Sequence, residues 1–138
     1  MRSIAWALAS AAVALVASTA TALNAGPGDA KAGEAIYSRC LACHALDYDR
    51  TGPRHCGLLG RRAGSVEGFP YSEAMQRSPI VWSERSLERF LADPLAAVPG
   101  TTMGYAGIED ARERADLIAY LVLVNASPAC KRSSPSAR

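Results

Sequence analysis

Two cysteines and a histidine within five positions are the most reactive group in this sequence: Cys40, Cys43 and His44, in the stretch CLACH. Three kinds of chemistry use such a group. Thiolates and an imidazole can bind zinc, a Cys-x-x-Cys pair can cycle as a redox dithiol, and the CxxCH pattern can hold a haem through two thioethers with the histidine as an iron ligand. Each alternative makes its own demand on the rest of the chain.

The rest of the sequence argues against the first two alternatives. A structural zinc site needs four ligands, which typically come in close pairs, and the remaining candidates, His55, Cys56 and Cys130, do not form a second pair. A thioredoxin-like dithiol is expected in a βαβ unit, and the sequence has no strand pattern. Covalent haem attachment is therefore the interpretation we favour.

A haem iron bound by His44 would still lack its sixth ligand. Met103 follows a Pro-Gly turn among small residues, and such a loop can bring a thioether to the open face of a haem. Met75 is more typical of a core side chain, because methionine often fills gaps. His55 is too close to His44 along the chain to reach the opposite face, and Lys31 or no ligand at all remain alternatives. Ligation by His and Met would fill both axial positions and favour the ferrous state.

Three segments have the spacing of helices with one apolar face: residues 28–40, 83–94 and about 109–125. Asp29 and Ser83 are placed to cap the first two, Pro94 follows the second, and acidic residues open the third. The Gly- and Pro-rich segments between the helices indicate turns. Long loops in a small domain need something to bury them, and a large flat cofactor would do so.

The first 25 residues have the layout of a secretory signal peptide: Arg2, an apolar run from Ile4 to Val16, and small residues up to Ala25. The run is short for a membrane span, which needs roughly 20 apolar residues, although a buried helix or an uncleaved anchor are alternatives. Cleavage after Ala22 or after Ala25 fits equally well. We therefore expect an exported, periplasmic protein.

The domain organisation follows from these boundaries. We expect a signal peptide at 1–25, one domain at 26–126 and a polar C-terminal tail at 127–138 that frays. The chain carries 15 basic and 13 acidic residues, a net charge of +2. Removal of Arg2 with the signal leaves 14 basic residues and a net charge of +1. This balance, without a polybasic run, excludes nucleic acid as an expected partner.

The sequence resembles the class I c-type cytochromes, including mitochondrial cytochrome c and its soluble bacterial relatives. Five stretches match in order, over about residues 28–124: GDAKAGEAIYSRCLACH, TGPRHCGLLGRRAGS, GFPYSEAM, IVWSERSLERFLADPLAAVPGTTM and YAGIEDARERADLIAYL. The resemblance implies an all-α cytochrome c fold, with three main helices and long loops wrapped around one covalently attached haem c.

The implied function is that of a soluble, monomeric one-electron carrier and not of an enzyme. Its partners would be redox proteins such as membrane oxidoreductase complexes, without a small-molecule substrate. A dedicated cytochrome subunit of one dehydrogenase or oxidase, and a peroxidase-like haem protein with an open iron, are the alternatives.

The resemblance also implies roles for individual residues. Cys40 and Cys43 match the thioether positions, His44 the proximal iron ligand and Met103 the distal one. Pro53 matches the residue whose carbonyl accepts a hydrogen bond from the ligating histidine. Four further residues match polar side chains that face the haem propionates: Arg61, Tyr71, Ser72 and Trp82.

Helix packing can be carried over in the same way. Gly33 and Tyr37 match the contact that the first helix makes with Leu117 and Tyr120 of the last. Cys56 and Cys130 are not needed by a haem, and the resemblance places the loop of the first on the same side of the fold as the end of the last helix. We therefore expect these two cysteines to form a disulfide in an oxidising compartment.

Several positions depart from the family pattern. Phe90 stands where a Tyr is usual, Tyr105 replaces a Phe beside the haem edge, and His55 occupies a position that is usually apolar. The lysine ring of the mitochondrial protein is largely missing. Arg39 remains, and the other corresponding positions are Leu95, Ala96 and Thr102 in the loop and Glu109 and Asp110 at the last helix. Steering of acidic partners is therefore expected to be weak.

Overall fold

The computed structural model describes residues 26–132. The predicted signal peptide, 1–25, and the last six residues of the predicted tail lie outside the described residues. The described part is helical, and its only strand-like pairing is an isolated bridge between Arg62 and Val81. Its α-helices are α1 Ala30–Tyr37, α2 Glu73–Arg77, α3 Glu84–Ala92, α4 Pro94–Ala97, α5 Ala111–Ala126 and α6 Pro128–Arg132.

The three longest helices begin at polar caps, as the sequence predicts for the first two. Asp29 accepts a hydrogen bond from the backbone of Lys31, and Ser83 forms a reciprocal capping box with Ser86. The third helix begins two residues later than predicted, because Asp110 is its cap and accepts from the next turn. These bonds satisfy amides that have no partner within the helix.

Two helix ends differ from the prediction. The first helix stops at Tyr37, and the chain tightens into a 3-10 turn over Ser38–Cys40. The second stops at Ala92, as expected, but Pro94 also starts the short helix α4. Proline suits this place, because its missing N–H would have no partner in the first helical turn anyway.

The first and fifth helices cross at Gly33. A Cβ atom built on Gly33 would lie 1.9 Å from the carbonyl oxygen of Asp116, so only glycine permits this approach of the two backbones. Near the crossing, the rings of Tyr37 and Tyr120 pack with centroids 5.1 Å apart. Leu117 is 1% exposed in the same core. The predicted contact between the first and last helices is confirmed.

The C-terminal segment is more ordered than we expected. Residues 128–132 form α6, not a frayed tail. Cys130 is buried there, and its Cα atom lies 4.8 Å from that of Cys56, 74 positions earlier in the chain. Asn125, near the end of α5, also accepts a hydrogen bond from the amide of Leu58 at 2.9 Å. The end of the chain is thereby tied to the loop that follows Pro53.

None of the helices within residues 26–132 combines the length and the apolar character that crossing a membrane requires.

Candidate functional site

The CxxCH segment begins where α1 ends. The amides of Cys43 and His44 both donate to the carbonyl oxygen of Cys40, at 3.1 and 2.9 Å. This single tight turn places the two cysteines and the histidine together. Burial raises the pKa of the Cys40 thiol, which disfavours the thiolate that a redox dithiol needs.

His44 is buried and held in one orientation. Its Nδ1 lies 2.7 Å from the carbonyl oxygen of Pro53. A carbonyl can only accept, so Nδ1 carries the proton and the lone pair of Nε2 is free to bind a metal. Burial lowers the pKa of His44, although the bond to Pro53 opposes that shift. The neutral imidazole that iron ligation requires is therefore favoured.

Gly52 lies against the imidazole of His44, where no larger residue would fit. This residue was not identified from the sequence. A Cβ atom on Gly52 would lie 2.4 Å from Cε1 of His44. The amide of Gly52 also donates to the carbonyl oxygen of Cys43 at 2.7 Å. Its position immediately before Pro53 was the available signal, because glycine is the residue that allows a backbone to approach another group closely.

His55 lies directly against the predicted ligand. Its ring stacks on the ring of His44, with centroids 4.2 Å apart and planes inclined by 21°. Its Nδ1 shares a hydrogen bond of 3.0 Å with the hydroxyl of Tyr37. The sequence showed that His55 was unusual, but it did not show this link to the first helix.

Arg61 lies close to both Trp82 and Tyr71. The backbones of Arg61 and Trp82 are joined by a hydrogen bond of 2.9 Å. Burial raises the pKa of Tyr71, and the nearby charge of Arg61 opposes that shift. Ser72 follows at once and caps α2 with its hydroxyl. The four predicted propionate-facing residues therefore belong to one connected region.

Arg61 is the unusual member of this region. Its two terminal nitrogens donate to the carbonyl oxygens of Cys56 and Arg54. Its Nε is the one buried side-chain polar atom, among the described residues, that has no hydrogen-bond partner. An unpartnered buried donor on a cation is costly, and an anionic group of a ligand would satisfy it.

The two methionines of the described region differ in their surroundings. Met75 is 8% exposed within the hydrophobic core, as a gap-filling side chain should be. Met103 lies in the loop between α4 and α5, is partly buried against that core, and donates its amide to the hydroxyl of Thr101 at 3.2 Å. Met103 is thus the methionine that lies in a loop and is only partly buried.

Zinc finds no support in this region. Among residues 26–132, no three His, Cys, Asp or Glu side chains cluster in a way that could hold a metal ion. By contrast, the residues fit a haem: a CxxCH turn supplies two thiols, a space kept by Gly52 holds a neutral imidazole, and an unpartnered donor of Arg61 suits a carboxylate.

Comparisons with known proteins point in the same direction. The chain is 40% identical over 110 residues to cytochrome c2 of Blastochloris viridis, covering 78% of this chain and 87% of that protein. It is 50% identical over 96 residues to cytochrome c of Tetrahymena pyriformis, covering 68% of this chain and 87% of that protein. No protein-family model matches the chain.

A solved structure shares the fold. Cytochrome cH from Methylobacterium extorquens superposes with a TM-score of 0.68 at 40% identity, covering 70% of this chain and 99% of that one. The helical architecture without strands in the described part agrees with this neighbour. The chain therefore belongs to the class I c-type cytochromes, electron carriers that hold one covalently attached haem c.

Proposed function

We propose that this protein is a soluble one-electron carrier that works outside the cytoplasm and exchanges electrons between exported or membrane-bound redox complexes. The observation that carries the proposal is the fixed imidazole of His44, whose Nδ1–H donates to Pro53 and whose Nε2 is left to bind iron. A ligand held in this way keeps its place when the oxidation state of the metal changes.

The same proposal assigns the attachment residues. Cys40 and Cys43 form the thioethers, His44 is the proximal ligand and Met103 is the distal ligand. A haem bound in this way supplies a single reversible electron transfer at the iron. The chain's own contribution would be to supply both iron ligands, His44 and Met103, and to exclude small molecules from the metal.

The polar region beside the haem has a second task in this proposal. Arg61, Tyr71, Ser72 and Trp82 hold the propionates and offset the cost of burying their negative charge. The observation in favour is the unpartnered Nε of Arg61. Burial lowers the pKa of Arg61 from its very high ordinary value, so a paired anion would relieve an unfavourable buried charge.

Export to the periplasm is part of the proposal. Residues 1–25 would be removed as a signal peptide, and the oxidising compartment would allow the Cys56–Cys130 disulfide to form. The buried position of both cysteines and the 4.8 Å separation of their Cα atoms support the bridge. The carrier would act as a monomer on redox-protein partners. A dedicated subunit of one dehydrogenase or oxidase is the alternative arrangement of the same chemistry.

The ligation is tested by replacing the two methionines separately. In Met103→Ala, we expect the weak charge-transfer band that reports a methionine–iron bond in the oxidised protein to disappear, and the reduction potential to fall. Met75→Leu is the matched control, because a volume-conserving change in a core costs less than about 1.5 kcal/mol and should leave the band in place.

A visible spectrum and a redox titration of each purified holoprotein provide the measurement. If Met103→Ala kept both the band and the potential of the parent protein, Met103 would not be the ligand. If the parent protein lacked the band and reacted rapidly with peroxide, the peroxidase-like alternative would replace the carrier.

A further inference from the structure

His55 is a partly buried aromatic side chain to which the carrier chemistry assigns no role. It follows Pro53 by two residues, and its ring is stacked on His44 with a centroid distance of 4.2 Å. The family usually has an apolar side chain at this position. Unlike such a side chain, the ring of His55 can form a hydrogen bond, and it does so with Tyr37.

Tyr37 fixes the orientation of His55. The Tyr37 hydroxyl and Nδ1 of His55 share a hydrogen bond of 3.0 Å, and the two ring centroids are 5.6 Å apart. Tyr37 is itself 3% exposed and is clamped between His55 and the ring of Tyr120. Since an apolar side chain could not accept or donate this bond, His55 is rotationally restrained in a way that a leucine would not be.

The backbone of His55 is restrained as well. Its amide donates to the carbonyl oxygen of Ala45 at 3.0 Å, and the next amide, of Cys56, donates to that of Leu46. Cys56 in turn lies beside Cys130 of α6, with Cα atoms 4.8 Å apart. The His55 ring is therefore held from the first helix, from the segment that follows His44, and from the C-terminal helix α6.

A ring held this firmly limits what a stacked neighbour can do. The bond from His44 Nδ1 to Pro53 still permits the imidazole to rock about that direction, whereas a fixed ring stacked on its face opposes rocking. The plane of an axial imidazole decides which iron d orbitals it overlaps, and outer contacts of this kind tune a metal through its ligand.

We propose that His55 is a positioning residue for the haem: held by Tyr37, its ring fixes the plane of His44, and with it the electronic asymmetry and the reduction potential of the iron. The inference rests on the proposed function, because it requires His44 to be the proximal ligand. It adds a link from the α1 helix to the iron, running from Tyr37 through His55 to His44.

The test uses three variants of the holoprotein. Tyr37→Phe removes the hydrogen bond but keeps the ring of Tyr37. His55→Phe keeps a stacked ring but lacks the bond, and His55→Leu removes both. Tyr120→Phe is the matched control, because Tyr120 also packs on Tyr37 but its hydroxyl takes no part in the bond between Tyr37 and His55. Each protein is examined by proton NMR of the oxidised form and by redox titration.

The haem methyl resonances of the oxidised protein report the plane of the axial ligands, and a merely structural role would not move them. We expect a changed order or spread of these resonances, with a shifted potential, in Tyr37→Phe and His55→Phe, and a larger change in His55→Leu. Tyr120→Phe should keep the parent pattern and differ only in its melting temperature.

Two outcomes overturn the inference. Methyl resonances and potential that are unchanged in all three variants would show that His55 only fills space, as would equal changes in Tyr120→Phe. A parent protein whose spectrum shows no histidine–methionine ligation would instead remove the proposed function. The circular dichroism of each variant identifies any that fails to fold. If His55→Leu does not fold, the milder variant Tyr37→Phe still tests the inference.

Discussion

At the scale of single residues, the proposed placement of Arg61 beside the haem propionates has a consequence for the potential of the iron. A positive charge close to the haem stabilises the ferrous form, which carries one positive charge less than the ferric form. Arg61 is partly buried, and buried charges are screened less by salt than exposed ones. We therefore expect this guanidinium to raise the reduction potential.

Arg61→Gln tests this expectation. The potential should fall by a redox free energy of about 2–4 kcal/mol, the size of an interaction between unit charges roughly 4 to 8 Å apart at an effective dielectric constant of about 20. Arg62→Gln is the control, because Arg62 is the next residue and carries the same charge but is exposed. Redox titration of both variants is the measurement, and equal shifts in the two would contradict a specific role of Arg61.

At the scale of helices, the crossing of α1 and α5 depends on the absence of one side chain. Gly33 allows the backbone of Asp116 to approach within a distance that no Cβ atom tolerates. The side-chain carboxylate of Asp116 accepts a hydrogen bond from the amide of Asp29 at 2.7 Å and forms an ion pair with Arg112 at 3.0 Å. One short segment of α5 thus holds both the start and the middle of α1.

Gly33→Ala should therefore destabilise the protein, by about 1–3 kcal/mol as overpacking usually does. Helix propensity predicts the opposite sign, because alanine is favoured over glycine by about 1 kcal/mol in an exposed helix. Ala35→Gly, at an exposed position of α1, measures that propensity alone. Thermal unfolding decides between the two effects, and a raised melting temperature in Gly33→Ala would show that the crossing can relax.

At the scale of the whole molecule, the proposed disulfide closes a loop that contains most of the domain. The two cysteines are 74 positions apart, and the loop-entropy relation gives at most about 4 kcal/mol for a bridge of this span. Such a bond acts mainly by limiting the unfolded chain, so its effect should appear in stability more than in the redox chemistry of the haem.

Cys130→Ser should accordingly lower the free energy of unfolding by up to about 4 kcal/mol while leaving the methionine–iron band unchanged. Denaturant unfolding of the parent and the variant gives the difference. The mass of the intact holoprotein after alkylation shows whether the bridge forms at all. Two alkylated thiols in the purified parent protein would end this proposal.

The charge distribution of the molecule bears on its partners. Arg39 is engaged by Glu113 through two hydrogen bonds of 2.7 and 2.9 Å, so its charge is largely compensated. Leu95, where the mitochondrial protein has a lysine, is 52% exposed. Neither position offers an acidic partner the attraction that a ring of free lysines would.

Electron-transfer rates with an acidic redox-protein partner should therefore depend only weakly on ionic strength. Stopped-flow rates between low and high salt provide the measurement, and a steep fall for the parent protein would contradict it. Leu95→Lys is the comparison variant. An added free cation at this exposed position should increase both the rate at low salt and its sensitivity to salt.

Much of this protein is determined by local sequence. The helix caps at Asp29 and Ser83, the turn that joins Cys40 to His44, and the glycine at position 33 act within a few residues or at one position. These features can therefore be predicted from the types and spacing of the residues alone. The family, its helical fold and its haem c follow from several such stretches in a fixed order.

Other features depended on contacts between distant parts of the chain. The helix α6 forms where the sequence is polar and was expected to fray, and it places Cys130, buried, beside Cys56. The stacking of His55 on His44 and its bond to Tyr37 join residues up to 18 positions apart. Such contacts carry no local pattern, because only the packing of α1 against the loop decides which rings meet.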